Sequence, residues 1–442
     1  MKSFIIFLMK NLNEMGIQIP EILLPKNLDV STWAVVACDQ YTQDREYWHS
    51  VEKIAGTKPS SLNLILPEVY LNDADKALRI EKIREQMGAY LNDGVFANAE
   101  QEAIYVERKT AYGRTRHGLV CAIDLETYEW KPFSKALIRA TEATIVDRIP
   151  PRMEIRRGAP LELPHIMLLV NDPAHSLVEG LGERVKAASP VYTGDLMMKS
   201  GSITGWAVKS AEDLEYLRAT VEALAAKNTA PDGSTFLFAV GDGNHSLATA
   251  KAVWDEYKAV HPEDTTNSAR YALVEIVNIY DTGLTFEPIH RVVFNADVAQ
   301  MTATLAEKLG GTLESMATAQ ELENAVKGSA ADFGFTFTQN GTQKYMLLRT
   351  SITELAVSRL QPELDEFLKN STGKPEIDYI HGAQEVFRLG AKDGATGILL
   401  PPVAKDSFFA TINGRGPLPR KSFSMGEADE KRFYLECRRL FK

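Results

Sequence analysis

Apolar residues along the chain follow both the two-residue repeat of strands and the longer repeat of helices. "AIYVERKT" and "HGLVCAIDLE" lie on either side of the turn "YGRTR" and predict two paired strands. Further strands are predicted in "TWAVVACDQY", "SSLNLILPEVYL", "HIMLLVND" and "YALVEIVNIYDTGLTFEPIHRVVF". Helices are predicted at "REYWHSVEKIAG", at residues 73–92 and at "AEDLEYLRATVEALAAKN". The pattern predicts an α+β protein with mixed sheets.

The pattern changes after Asn295. Two helices, 296–309 and 319–327, precede "DFGFTFTQNGTQKYMLLR", in which Asn340-Gly341 is a strong signal for a two-residue hairpin turn. We place a domain boundary at 291–296, which gives an N-terminal domain over 1–292 and a smaller C-terminal α/β domain over 293–442.

The stretch "GDGNHSLATAKA" follows the apolar segment "STFLFAV" and predicts a strand, a turn and a helix in succession. We expect a buried strand at 236–240 and a helix from Ser246 to about Lys258. The start of such a helix exposes unpaired N–H groups and the positive end of the helix dipole, which favours an anion. An ordinary tight turn with Asn244 or Ser246 as the helix cap is the alternative.

Each residue of this turn has a possible role toward a phosphate. Gly241 and Gly243 allow close approach of the backbone, and the amides from Asn244 to Ser246 can point at the anion. Asp242 is a candidate ligand for magnesium, which combines one or two carboxylates with phosphate oxygens. His245 is a candidate hydrogen-bond donor, or a group that titrates near neutral pH. A Walker-type phosphate loop is excluded, since its motif does not occur.

Composition narrows the function classes further. The formal net charge of -10 argues against general nucleic-acid binding, which requires a basic surface. The three cysteines show neither a disulfide framework nor zinc-type spacing. No apolar run reaches the about 20 residues of a membrane span, and the opening segment lacks a signal-peptide cleavage pattern. We therefore expect a cytoplasmic protein with a small-molecule ligand.

Five blocks of the chain, in order, resemble the domain of unknown function 1015 family. They are "ACDQYTQDREYWHSVEKIAGTKPSSLNLILPEVYL", "RATEATIVDR", "VGDGNHSLATA", "YDTGLTFEPIHRVVF" and "GPLPRKSF". Many members have an aspartate-glycine-histidine-histidine-arginine turn; here Asn244 stands at the first histidine position and Ser246 at the arginine position. The same turn is similar to the nucleotide-binding turn of the ParB/sulfiredoxin superfamily, which includes free-serine kinases.

That resemblance implies a ParB/sulfiredoxin-like nucleotide-binding core. It also implies that Asp242 assists metal and phosphate, while a separate glutamate activates the serine hydroxyl. Glu68, in "LILPEVYL", is our candidate for this glutamate.

Other polar residues are candidates for binding the same phosphate or substrate. They are Arg139, Glu142, Arg148, Arg152, Arg156, His290, Arg291, Arg420 and Lys421, with Asp39 as a further strand-end carboxylate. Arginine suits bidentate contacts to phosphate or carboxylate. For the charged residues of 139–156 the alternative is a salt-bridged exposed surface, and for His290 and Arg291 it is a structural ion pair. If these residues serve one ligand, they must converge on the turn.

Three functions are compatible with these sequence features. The first is a phosphotransferase that uses ATP or ADP and magnesium on a small hydroxylated metabolite, serine being the leading candidate. The second is a non-catalytic nucleotide-binding switch. The third is a hydrolase of a small phosphate ester such as phosphoserine.

Overall fold

The computed structural model describes residues 2–441. Its helices are α1 Lys2–Glu14, α2 Val30–Trp33, α3 Arg45–Ala55, α4 Lys76–Asn92, α5 Ile149–Arg156, α6 Val178–Val185, α7 Ala211–Lys227, α8 Asn244–Val260, α9 Val298–Leu309, α10 Ala319–Lys327, α11 Ala356–Asn370, α12 Ala383–Gly390 and α13 Lys405–Arg415. Its strands are β1 Ile17–Gln18, β2 Glu21–Ile22, β3 Val35–Val36, β4 Glu100–Gln101, β5 Ala103–Thr110, β6 Thr115–Asp124, β7 Tyr128–Glu129, β8 Ile138–Ala140, β9 Leu161–Glu162, β10 Met167–Val170, β11 Tyr192–Asp195, β12 Gly201–Val208, β13 Phe238–Asp242, β14 Tyr271–Asn278, β15 Phe286–Phe294, β16 Thr312–Met316, β17 Phe333–Gln339, β18 Thr342–Arg349, β19 Glu376–His381, β20 Ala395–Leu399, β21 Phe423–Met425, β22 Phe433–Tyr434 and β23 Arg438–Arg439.

Contacts within the chain divide it into two units. Unit 1 comprises residues 1–140, 144–284 and 427–442, and unit 2 comprises residues 141–143 and 285–426. The chain thus passes from unit 1 to unit 2 just before β15, and its last segment belongs to unit 1. The domains 1–292 and 293–442 stay a prediction.

Unit 1 is built on a ten-stranded sheet in the order β11-β12-β5-β6-β14-β10-β13-β8-β7, with β1 paired to β6. β13 is antiparallel to β10 and parallel to β8, so the sheet is mixed. Phe238, Ala239 and Val240 are fully buried. Their burial explains the unbroken apolar run before the "GDGNHS" turn, because a strand covered on both faces has no polar side.

The last segment of the chain attaches to unit 1 by two short strand pairings and buried charges. β22 pairs with β3, and β23 pairs with β9. Arg432 is almost completely buried; its Nη1 lies 3.0 Å from Glu275 Oε2, and its Nη2 contacts Glu436. Breaking a buried ion pair of this kind leaves an uncompensated charge. Residues 427–441 are therefore an integral part of unit 1.

Unit 2 contains a sheet in the order β16-β18-β17-β20-β15-β19, with β21 paired to β15, and all its pairings are antiparallel. Helices α10 and α12 pack against this sheet around Val292, Leu322, Leu347, Val386 and Leu399. Both units combine helices with sheets, and the sheet of unit 1 is mixed. The predicted α+β class with mixed sheets is confirmed.

Most of the predicted elements are present. β5 and β6 pair in antiparallel register, and β17 and β18 pair across Asn340-Gly341, both of which have positive φ. The predicted strand in "SSLNLILPEVYL" is wrong: this segment forms 3₁₀ turns at Ser61–Leu64 and Glu68–Tyr70. The Ser60 and Ser61 hydroxyls donate to the carbonyl of Trp33, and these side-chain bonds compete with a strand ladder.

Candidate functional site

The "GDGNHS" turn connects β13 to α8 through a residue whose backbone conformation favours glycine. Gly243 is the N-cap of α8 and has φ of +77°, in the left-handed region. A Cβ on it would lie 3.1 Å from the Cα of Ile166. The helix begins at Asn244, two residues before its predicted start, and no side chain caps it, so capping by Asn244 or Ser246 is wrong. The backbone thus turns sharply into a helix N-terminus, the geometry that favours an anion.

Asp242 ends β13 and is held on both carboxylate oxygens. Its Oδ1 accepts a hydrogen bond from the amide of Gly243 at 3.0 Å, and its Oδ2 lies 3.2 Å from Lys431 Nζ. Only 10% of the Lys431 side chain and 21% of the Asp242 side chain are exposed. An amine in this position is a natural partner for a phosphate bound at the turn.

His245, in the first turn of α8, is held in its neutral form. Its Nε2 accepts a hydrogen bond from the amide of Ile145 at 3.2 Å. Burial, reinforced by Arg148 and Arg152, lowers the pKa of His245 to about 4. The prediction that His245 titrates near neutral pH is therefore wrong. Because Nε2 accepts, Nδ1 carries the proton, and it is the atom through which this ring can donate a hydrogen bond.

Glu68 lies in the same unit, in a 3₁₀ turn just after Pro67. Arg152 Nε donates to Glu68 Oε1 at 2.9 Å, and Arg152 Nη1 donates to the carbonyl of Arg148 at 2.8 Å. The Glu68 and Arg152 side chains are 18% and 19% exposed. This carboxylate is thus fixed in one orientation, with part of its surface open to solvent.

Three further side chains surround the end of β3. The Tyr434 hydroxyl accepts from the amide of Cys38 at 3.1 Å and lies 2.8 Å from His165 Nδ1. The amide of Glu68 donates to the carbonyl of Cys38. Burial, together with Asp39 and Glu68, raises the pKa of the Cys38 thiol. Cys38 is therefore a protonated thiol at neutral pH rather than a nucleophile.

Arg139 lies on β8 and contacts residues that precede β13. Its Nε donates to the carbonyl of Ala136 at 2.8 Å, and its guanidinium lies 4.5 Å from the centre of the Phe236 ring. Only 6% of Arg139 is exposed, and burial lowers its pKa. These contacts are consistent with a side chain that packs inside the protein. A role of Arg139 in binding a ligand stays a prediction.

Five of the candidate residues belong to unit 2: Glu142, His290, Arg291, Arg420 and Lys421. Glu142 accepts from the amide of Ser422 at 3.1 Å. His290 Nδ1 accepts from the amide of Leu400 at 3.1 Å, and burial lowers its pKa to about 4. Arg291, Arg420 and Lys421 surround the ring of Tyr379. The prediction that they serve the same ligand as the turn stays a prediction.

Within unit 1, the structure brings together part of the predicted set and adds residues that the sequence did not indicate. The segment "RATEATIVDR" reaches the turn through Ile145, and Arg148, Arg152 and Asp39 all influence the pKa of His245. The sequence did not indicate three residues of this site, Lys431, Tyr434 and His165. The charged run around Lys431 is typical of a solvated surface, and its contact with Asp242 depends on the distant pairing of β22 with β3.

The described residues offer little to hold a metal by themselves. In residues 2–441, no group of three or more His, Cys, Asp or Glu side chains is placed to bind a metal ion. Within the same residues, no helix has the length and apolar character needed to cross a membrane.

The model of the family described as "Protein of unknown function (DUF1015)" matches residues 22–367. The chain belongs to the DUF1015 family. No curated protein gives a significant match to this DUF1015 member.

Several solved structures show limited similarity to this DUF1015 chain. A mutant of a free serine kinase in complex with AMP matches 72% of this chain and 90% of that chain, with 10% identity and a TM-score of 0.39. A conserved hypothetical protein from Pyrococcus furiosus matches 73% and 95%, with 10% identity and a TM-score of 0.36. SbnI with a C-terminal truncation, from Staphylococcus aureus, matches 70% and 83%, with 10% identity and a TM-score of 0.34. Similarities of this size carry no functional argument.

Proposed function

We propose that this protein binds nucleotide phosphates at the "GDGNHS" turn and transfers a phosphoryl group to a small hydroxylated metabolite, with free serine as the first candidate. The supporting observation is the combination, in unit 1, of the helix N-terminus after Gly243 with the Lys431 ammonium beside Asp242. Phosphoryl transfer depends mainly on positioning and on neutralising charge, and these groups supply both.

The phosphate would contact the first amides of α8 and the ammonium of Lys431. His245 would donate from Nδ1 to a phosphate oxygen, since its Nε2 already accepts from Ile145. Asp242 would supply one carboxylate to a magnesium ion that arrives bound to the nucleotide. A single carboxylate at the turn fits such an ion, because magnesium is usually held by one or two carboxylates together with phosphate oxygens. When bound, the ion neutralises phosphate charge.

Glu68 is the proposed general base. In the transfer step, the metabolite hydroxyl oxygen forms a bond to phosphorus while the bond from phosphorus to the bridging oxygen of the nucleotide breaks. The hydroxyl proton passes to the Glu68 carboxylate, and the nucleotide leaves with one phosphate fewer. Arg152 would hold that carboxylate in place, as it does through the 2.9 Å bond from its Nε.

The test is incubation of the full chain with magnesium, ATP or ADP, and a pool of hydroxylated metabolites that includes serine, followed by mass spectrometry. We expect a phosphorylated metabolite. Nucleotide binding without turnover would indicate a regulatory switch, and release of phosphate from phosphoserine would indicate a hydrolase; either result contradicts the proposal. A cytoplasmic location is part of the proposal.

Two variants assign the roles. Asp242→Asn should weaken magnesium-dependent nucleotide binding in calorimetry, whereas Asp255→Asn, at an exposed position of the following helix α8, should not. Glu68→Gln should lower kcat by about 100-fold or more, with nucleotide affinity unchanged, because general-base catalysis contributes about 10² to 10⁴. Glu46→Gln, at a position 91% exposed, is the matched control. Normal kcat in Glu68→Gln would exclude Glu68 as the base.

A further inference from the structure

Arg291, in the middle of β15, is a buried cation whose hydrogen bonding is incomplete. Its side chain is fully buried. Nε donates to Gln361 Oε1 at 2.8 Å, and Nη1 donates to the carbonyls of Ile289 and Lys421, the latter at 3.1 Å. Nη2 has no hydrogen-bond partner, and among the described residues of unit 2 it is the one buried side-chain nitrogen or oxygen in this condition.

A guanidinium in this position should have an acceptor. Burial lowers the pKa of Arg291 to about 10, so the group stays charged at neutral pH. Among the residues that the structure describes, no carboxylate oxygen lies within 4.0 Å of the Arg291 guanidinium, and the negative charges that act on it, those of Glu142 and Asp365, do so from a greater distance. Buried charges are normally paired, and buried donors normally bonded. The orphaned Nη2 therefore points to an acceptor that the chain itself does not provide.

Two exposed cations, Arg420 and Lys421, lie near the same tyrosine ring as Arg291. Arg291, Arg420 and Lys421 place their cationic groups 4.8, 5.8 and 5.7 Å from the centre of the Tyr379 ring. Tyr379 is directly opposite Arg291 on the paired strand β19. The backbone of Lys421 is fixed by the bond from Arg291 Nη1 to its carbonyl. Three positive groups thus gather at one half-buried tyrosine.

We propose that unit 2 binds a phosphate group at the Tyr379 cluster, defined as Arg291, Tyr379, Arg420 and Lys421. Arg420 and Lys421 are exposed side chains with many rotamers, and their displacement from the ring would admit the anion. The guanidinium fork of Arg291 would then donate its Nη2 hydrogens to a phosphate oxygen. A phosphate suits the cluster better than a single carboxylate, because it carries more charge and accepts from several directions. The ligand is inorganic phosphate or a small phosphomonoester.

This inference does not depend on the proposed phosphotransfer, since every residue of the Tyr379 cluster belongs to unit 2. The experiment is titration calorimetry of the full chain with inorganic phosphate, with O-phosphoserine and with acetate. We expect both phosphates to bind and acetate to bind at least tenfold more weakly. Tighter binding of O-phosphoserine than of inorganic phosphate would assign the cluster to a phosphorylated metabolite; the reverse order would assign it to the free ion.

The variants separate this binding from binding at the turn. The double variant Arg420→Gln with Lys421→Gln keeps the buried residue and should fold; we expect it to weaken phosphate binding at least tenfold. Arg388→Gln, at an exposed arginine of the same unit, should leave the affinity unchanged. The same titration of Asp242→Asn shows how much of the phosphate signal comes from the turn. The inference is overturned if wild-type protein binds no phosphate, if the double variant binds as well as wild type, or if Arg388→Gln weakens binding equally.

Discussion

Replacing Gly243 by alanine tests the geometry of the turn directly. Gly243 has φ of +77°, and an added Cβ would lie 3.1 Å from the backbone Cα of Ile166. Gly233 is a matched control in the same unit: its φ is +81°, and a Cβ there would meet nothing within 4 Å. Gly233→Ala therefore introduces only the strained backbone conformation, whereas Gly243→Ala adds a contact with main chain that cannot rotate away.

The expected magnitudes follow from these two terms. A side chain in the left-handed region costs about 1–2 kcal/mol, and this is the loss expected for Gly233→Ala. Crowding in a packed region costs about 1–3 kcal/mol more, so Gly243→Ala should exceed Gly233→Ala by that amount in lost free energy of unfolding. The same displacement should move the first amides of α8 and weaken nucleotide binding, which Gly233→Ala should leave intact.

Tryptophan fluorescence during urea unfolding is the appropriate measurement. Trp33, Trp48, Trp130, Trp206 and Trp254 are the five tryptophans of the chain, and all lie in unit 1. Their signal therefore reports on the unit that carries both glycines. Equal destabilisation by the two substitutions would refute the steric argument, and stability unchanged in Gly243→Ala would refute the left-handed turn itself.

Two further predictions concern charge at the turn. Lys431→Met should weaken nucleotide binding in calorimetry by about tenfold or more, because a charge-assisted hydrogen bond contributes about 1.5–3 kcal/mol. Lys251→Met, on α8, is the control. An equal effect of the two substitutions would contradict a role for Lys431. The pKa of His245 is about 4 in the folded protein and 6.5 in the unfolded chain. As the pH falls, the unfolded chain therefore takes up the proton first, and the free energy of unfolding decreases between pH 6.5 and pH 4. His245→Gln should therefore reduce the fall in Tm between pH 7 and pH 4.5, measured by the same fluorescence, while His261→Gln at an exposed position should not; an undiminished fall in His245→Gln would contradict the buried neutral ring.

The parts of the fold that local sequence determines were predictable. An apolar run followed by "GDG" indicated β13, the turn and α8, because burial, glycine geometry and helix formation each depend on neighbouring residues. The same holds for the hairpin at Asn340-Gly341. The segment "SSLNLILPEVYL" has the apolar pattern of a strand, which is why the strand prediction was wrong. The hydrogen bonds from Ser60 and Ser61 to Trp33 prevent that strand, and the apolar pattern gives no sign of them.

The candidate site was predictable only where it lies close to the turn in sequence. Asp242 and His245 could be named from the motif itself. Lys431 could not, because it reaches Asp242 from nearly 190 positions further along the chain. The ion pair of Glu68 with Arg152 likewise joins two segments that have no shared pattern. Contacts between segments that are distant in sequence leave no repeating pattern in the sequence, so they could not be predicted from it.

The assignment of residues 427–442 to unit 1 has a consequence for the order in which the protein is made. Synthesis must pass through the 142 residues from 285 to 426 before Lys431 exists. At the usual elongation rate of about 5–20 residues per second, this delay is about 7–28 s. During that interval the nascent chain contains the residues of the turn and of α8 but lacks those of β22 and β23 and Lys431. The site that we propose at the turn therefore cannot be completed until the intervening unit has been synthesised, and a message truncated after residue 426 would yield a chain without β22, β23 and Lys431.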